Sequence, residues 1–157
     1  IPSTSSERRR YIPIGFLDSS IIATNANLIV PNATLYEFGI LTSNVHNAWM
    51  RVVAGRLKSD YRYSATIVYN NFPWPNPTKE QQAKIEKTAQ AILAAREIYK
   101  DCSLADLYDD VTMPPELRKA HQLNDKAVME AYGFWGKVKT ESECVSELMK
   151  MYQKLVK

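Results

Sequence analysis

Three prolines at alternate positions, Pro73, Pro75 and Pro77, divide this 157-residue chain into two unlike parts. Each proline fixes its own φ and biases the residue before it away from the helical region. The stretch Asn70-Asn71-Phe72-Pro73-Trp74-Pro75-Asn76-Pro77 must therefore run extended, which ends any regular element that reaches it. Phe72 and Trp74 are its only large apolar side chains and are expected to pin it onto a core. The chain is read as a first part over residues 1–69, a proline-rich linker over 70–77 and a helical part over 78–157.

Before the linker the pattern is mixed. Tyr11 to Leu17 and Leu28 to Val30 read as short strands, with turn chemistry at Asp18-Ser19-Ser20 and Pro31-Asn32-Ala33. Leu35 to Ala54 reads as helical with a break near Thr42-Ser43, where Ser43 can cap the second half and Val45, Trp49, Val52 and Val53 form its apolar stripe. In Arg56-Leu57-Lys58-Ser59-Asp60-Tyr61-Arg62-Tyr63 the charges fall at every second position. A single strand would put Arg56, Lys58, Asp60 and Arg62 on one face and Leu57, Ser59, Tyr61 and Tyr63 on the other. Thr66 to Tyr69 is a candidate second strand.

After the linker the spacing becomes helical. Thr78 with Gln81 forms a capping box ahead of Ile85, Ala89, Ile92, Leu93 and Tyr99. Ser103 to Tyr108 is a short helix. Pro114-Pro115-Glu116 opens another, with Leu117, Ala120, Ala127, Val128 and Ala131 inward and Gly133 as its stop. Thr140 and Glu143 cap a last helix through Val145, Leu148, Met149, Tyr152 and Leu155. The expected fold class is α+β: a small mixed sheet with helices, then a C-terminal helical bundle.

Catalytic chemistry finds little support. His46 and His121 are the only histidines, one in each part, too few for a metal centre. Asp109 and Asp110 are neighbours whose side chains point apart and suit a solvated helix end. No glycine-rich phosphate loop and no nucleophile elbow occurs. Asn71-Phe72-Pro73-Trp74 lacks the adjacent prolines of the Asn-Pro-Pro-aromatic loop that amino-methyltransferases close on a base. Cys102 and Cys144 have no CxxC spacing and fit a reducing, cytoplasmic setting. No apolar run reaches the roughly 18–20 residues of a membrane helix, so no membrane is expected as a partner. The polar, then basic, start lacks the apolar core of a signal peptide, and a chain opening on Ile1 is read as a piece of a longer one.

Charge points elsewhere. Residues 1–63 hold seven Lys or Arg against four Asp or Glu and so carry the whole net +3, whereas the remainder balances. The first part is the candidate for a polyanionic partner. Arg8-Arg9-Arg10 sits beside serines and Tyr11, and arginine forks suit phosphates and guanine edges. A solvated basic turn is the competing reading. In the charge-alternating run, Arg56, Lys58 and Arg62 can meet phosphate or guanine and Asp60 can accept from a cytosine amine. A salt-bridged sheet edge explains the same pattern. Asn44, His46, Asn47 and Arg51 form a third cluster near a helix start, since asparagine can read adenine, although an ordinary polar helix face looks the same.

Several strings together resemble one family: Ser5-Ser6-Glu7-Arg8-Arg9-Arg10-Tyr11, Phe38-Gly39-Ile40-Leu41-Thr42-Ser43-Asn44-Val45-His46, the run from Gly55 to Ser64, Tyr69-Asn70-Asn71-Phe72-Pro73-Trp74-Pro75, Ala105-Asp106-Leu107-Tyr108-Asp109 and Met113-Pro114-Pro115-Glu116-Leu117. In this order, over nearly the whole chain, they are similar to the C-terminal end of MmeI-like single-chain type II restriction-modification proteins. The resemblance implies the end of a DNA target-recognition domain followed by a C-terminal helical domain. It also implies an upstream domain of the same chain that methylates adenine with S-adenosylmethionine, and a nuclease that uses Mg. No catalytic residue, cofactor site or metal site is then expected here. Double-stranded DNA is the expected partner, and Arg8, Arg9, Arg10, Asn44, Asn47, Arg51, Arg56, Lys58, Asp60 and Arg62 are the candidate contacts. Two other classes stay open: a protein-docking bundle, marked by a large exposed apolar patch, and an RNA-binding domain, marked by exposed Tyr61 and Tyr63.

Overall fold

A computed structural model describes residues 1–157. The order is β1 (Thr4–Ser5), α1 (Leu35–Leu41), α2 (Asn44–Val53), β2 (Gly55–Leu57), β3 (Asp60–Arg62), a π-helical turn (Ala65–Tyr69), α3 (Lys79–Glu97), α4 (Leu104–Leu107), α5 (Pro115–Ala131) and α6 (Glu141–Leu155). This is an α+β fold. The sheet is antiparallel throughout rather than mixed, in the order β1-β3-β2.

Helix ends follow from side-chain chemistry. Thr78 with Gln81 and Thr140 with Glu143 close reciprocal capping boxes, each side chain satisfying a backbone N–H that the first turn leaves unpaired. Ser43 Oγ accepts from His46 N–H and separates α1 from α2. Gly133, at φ 70°, supplies the left-handed residue just past α5.

Three expected strand regions take other forms. Tyr11 to Leu17 and Leu28 to Val30 are irregular. Tyr11, Ile12 and Ile14 are nevertheless buried, so the apolar run packs against helices instead of pairing in a ladder. Asn47 Oδ1 accepts from Ile12 N–H at 3.0 Å in place of a strand partner. Thr66 to Tyr69 lies in the π-helical turn, which Asn70 N–H closes onto Ala65 O at 2.8 Å. The β-branched residues there suggested a strand, but Ser64 caps a turn by accepting from Ile67 N–H.

One core of 28 buried residues runs through both parts of the chain. The proline segment is a strap on that core: Phe72 is buried, with its ring edge-on to His46 at 4.4 Å between centroids. Helix α1 lies on α3 through Gly39, where an added Cβ would stand 2.6 Å from Ile85 Cγ2. Asn124 Nδ2, on α5, donates to Gly39 O at 2.8 Å. Exposed large apolar side chains occur in both parts, and one group of them in the first part is contiguous. Phe16, Leu17, Ile21 and Ile29 line a cavity of about 650 Å³ there, and Ile22 lies exposed beside it.

Candidate nucleic-acid interface

The charge-alternating run is a hairpin rather than one strand. Leu57 pairs with Asp60 and Arg56 with Tyr61, leaving Lys58 and Ser59 as a two-residue turn. Lys58 takes φ 56°, the positive value that the first position of such a turn demands. The turn reverses the chain and breaks the expected row. Residues opposite one another share a face, so Arg56 lies with Tyr61 and Ser5, while Arg62 and Asp60 lie with Thr4, Gly55 and Leu57.

The first face is the inner one, since Tyr61 and Ser5 are buried. Arg56 is used there: its guanidinium lies 3.9 Å from the Tyr61 ring centroid, donates to Ser59 O at 2.7 Å and approaches Glu7 at 3.7 Å. It clamps the hairpin to the Glu7 turn. Arg62 and Lys58 are exposed and form no ion pair, and Asp60 is half-buried beside them. Leu57, expected on the face of Tyr61 and Tyr63, is exposed opposite Asp60.

Strand β1 leads from the sheet straight into the arginine triplet. Arg8, Arg9 and Arg10 line a cleft of about 640 Å³ together with Asn44 and Arg51. Half of the candidate residues, from two separated stretches of sequence, therefore converge on one concavity. The rest of the lining was not anticipated: Trp135, Val138, Lys139, Thr140 and Glu141 come from the loop between α5 and α6 and the start of α6. Their stretch has balanced charge, and only the fold brings it beside the triplet.

Several polar candidates are structural. Asn47 is 1% exposed, and beyond accepting from Ile12 it donates to Ser43 O at 2.7 Å. It is removed from any contact with a partner. His46 is buried with its Nε2 2.8 Å from Tyr63 Oη, and burial pushes its pKa down to about 3. Arg51 bridges Glu141 at 2.8 Å and donates to Arg10 O, so it shapes the cleft more than it offers charge. The Asn44 backbone N–H donates to Asp125 Oδ1 at 2.8 Å, and Tyr11 Oη donates to Asp125 Oδ2 at 2.6 Å. Burial of that carboxyl raises its pKa to about 6, against the opposing pull of these two donors. Asn44 Oδ1 is buried at the cleft with no donor.

No group of three or more His, Cys, Asp or Glu is assembled as a metal-binding cluster. Tyr61 and Tyr63 are buried, so neither offers a free ring to stack on a base. Asn71 Nδ2 donates to Thr66 O and Ile67 O, which ties the linker to the π-helical turn. Cys102 is exposed and Cys144 buried, both as free thiols. No helix is long and apolar enough to cross a membrane.

Residues 1–76 match the model described as the MmeI target recognition domain, and residues 77–157 match that of the MmeI C-terminal domain. DNA methyltransferase A of Bacillus subtilis (strain 168) is 41% identical over 155 residues, which cover 99% of this chain and 17% of the relative. A solved structure of the type IIL restriction-modification enzyme MmeI in complex with DNA superposes with a TM-score of 0.95 at 53% identity, covering 99% of this chain and 21% of that one. The chain thus spans about a fifth of the length of either relative. It belongs to the MmeI family and consists of residues matching that family's target recognition and C-terminal domains.

Proposed function

We propose that this chain recognises a specific sequence in double-stranded DNA, as part of a longer bacterial, cytoplasmic restriction-modification protein. The methyl transfer to adenine, the S-adenosylmethionine it consumes and any Mg-dependent cleavage are assigned to the parts of such a protein that these residues do not span. No glycine-rich strand-to-helix turn occurs here to hold that cofactor. One observation carries the reading: β1 joins the hairpin, with Asp60 and Arg62 on its outward face and Lys58 at its tip, to the unpaired arginines of the cleft. Cations that are neither buried nor matched to carboxylates are what a phosphate backbone requires. The names of the two relatives, a DNA methyltransferase and an enzyme bound to DNA, support the same partner.

Within this reading Lys58 at the hairpin tip meets a phosphate, Arg62 meets phosphate or guanine, and Asp60 accepts from a base amine. Lys58→Gly is the clean test, because glycine accepts φ 56° at no steric cost and the hairpin should persist. The variant is expected to keep its thermal midpoint or raise it slightly. It should bind duplex DNA more weakly and reduce the slope of log Kobs against log salt by about 0.9, the share of one phosphate. An unchanged slope removes Lys58 from that role. Asp60→Asn is expected to change the sequences recovered from a randomised duplex pool while leaving bulk affinity nearly intact. Equal weakening on every sequence contradicts base reading by Asp60.

A further inference from the structure

The cleft has more positive charge than the fold uses. Three carboxylates line it, and each already has an arginine: Glu7 with Arg56 at 3.7 Å, Asp110 with Arg118 at 3.9 Å and Glu141 with Arg51 at 2.8 Å. Arg56 and Arg118 reach in from outside the lining. Arg8, Arg9, Arg10 and Lys139 are left with no ion pair. Like charges converging on one concavity repel each other, and an anion between them removes that cost. Three of the four come from the first part of the chain, and Lys139 joins the same lining from the C-terminal domain.

Size and lining narrow the anion. About 640 Å³ is far more than a single phosphate fills and suits a phosphodiester with its flanking sugars. Trp135 stands half-exposed on the Lys139 wall, with Lys126 Nζ 5.0 Å from its ring centroid.

We propose that the cleft seats a phosphodiester stretch of one DNA strand, gripped by Arg8, Arg9 and Arg10 on one side and by Lys139 and Trp135 on the other. The C-terminal domain is then part of the DNA interface and not only a support for it. This rests on the DNA-recognition reading above and adds a second wall to the contact surface. Lys139 holds the strand in place and carries no sequence preference.

The test is made in the full chain with duplex DNA. Lys139→Ala should lower the magnitude of the salt slope by about 0.9 and leave the recovered sequences unchanged. Lys150→Ala, a lysine paired with Glu147 on α6, is the control and should change neither. DNA should also shield Trp135 from acrylamide quenching, and Trp135→Phe should abolish that shielding, leaving the signal of Trp49 and Trp74. An unchanged slope in Lys139→Ala, or a Trp135 equally quenched with and without DNA, overturns the proposal. Shielding by inorganic phosphate alone at matched ionic strength overturns it in favour of a free-anion pocket. If Arg9→Ala flattens the slope and Lys139→Ala does not, the two-walled grip fails while DNA recognition stands. If the unaltered chain shows no salt-dependent binding to duplex DNA, both fail.

Discussion

Gly39→Val should destabilise the protein by about 3 kcal/mol or more, among the largest effects of any single substitution. Helix propensity alone points the other way, since valine is a few tenths of a kcal/mol better than glycine inside a helix. Packing overrides it. A Cβ at residue 39 would lie 2.6 Å from Ile85 Cγ2, 3.2 Å from Asn124 Oδ1 and 3.3 Å from Ala89 Cβ. All three belong to side chains on α3 and α5 that are themselves buried, so nothing flexible can yield. Helix α1 must lift from α3, and the bond from Asn124 Nδ2 to Gly39 O is lost with it. Urea unfolding at constant m-value reads the effect as a large drop in midpoint. A midpoint equal to that of the unaltered protein contradicts the close approach.

Acid should unfold the protein through its two buried histidines. His46 and His121 both titrate near about 3, first because burial disfavours the charged ring; for His121 the charges of Arg96 and Arg10 add to this. The bonding around His121 shows why a proton is unwelcome. Tyr108 Oη accepts from Arg96, so its one proton is directed at His121 Nε2, 2.6 Å away. Protonating that nitrogen would set two donors against each other.

Both rings have depressed folded pKa values against about 6.5 in the unfolded chain. The stability tied to their neutral forms is complete above about pH 6.5 and is lost as pH falls toward about 3. Each contributes a slope of up to about 1.4 kcal/mol per pH unit in that window. Asp125 works in the opposite sense. Its folded pKa of about 6 lies above the ordinary carboxyl value of 3.8, so its ionisation costs stability as pH rises between them. Two protons against one leave a net loss on acidification of about 1.4 kcal/mol per pH unit between pH 6 and 4. Urea midpoints at pH 7.5, 6.5, 5.5 and 4.5 should fall accordingly. A His46→Gln and His121→Gln double variant, left with Asp125 alone, should reverse the trend and gain stability on acidification between pH 6 and 4, even if its neutral-pH stability is lower. Stability that stays level or rises from pH 6.5 to 4.5 contradicts the account.

Helix positions were legible in the sequence because capping is local: Ser43, Thr78, Thr140 and Gly133 mark their boundaries by chemistry within a few residues. The sheet was less legible. Charges alternate without interruption from Arg56 to Arg62, and the turn within that run carries no glycine or asparagine to announce it. Lys58 adopts the left-handed conformation because the pairing around it compels it. The polar face assigned to α2 failed for a related reason. Asn47 and His46 are hydrophilic by type but meet Ile12 N–H and Tyr63 Oη inside the core, partners fixed only by tertiary structure. Of the site itself, the arginine triplet stood out as a basic run. That those three lack carboxylate partners, and that Lys139 and Trp135 line the same cleft, depends on how α6 docks beside α2.

The central claim is that the cations of the first part form one footprint for duplex phosphates. Its most direct measurement is the equilibrium binding of a duplex between 50 and 200 mM salt, comparing the unaltered chain with Arg8→Ala/Arg9→Ala/Arg10→Ala. The account predicts a slope of log Kobs against log salt that is shallower by roughly 2 to 3 in the triple variant; none of the three guanidinium groups makes an ion pair, and Arg10 lies over the Tyr11 ring at 5.6 Å, so the variant's fold is checked by its urea midpoint. A folded triple variant that binds with the slope of the unaltered chain would contradict it.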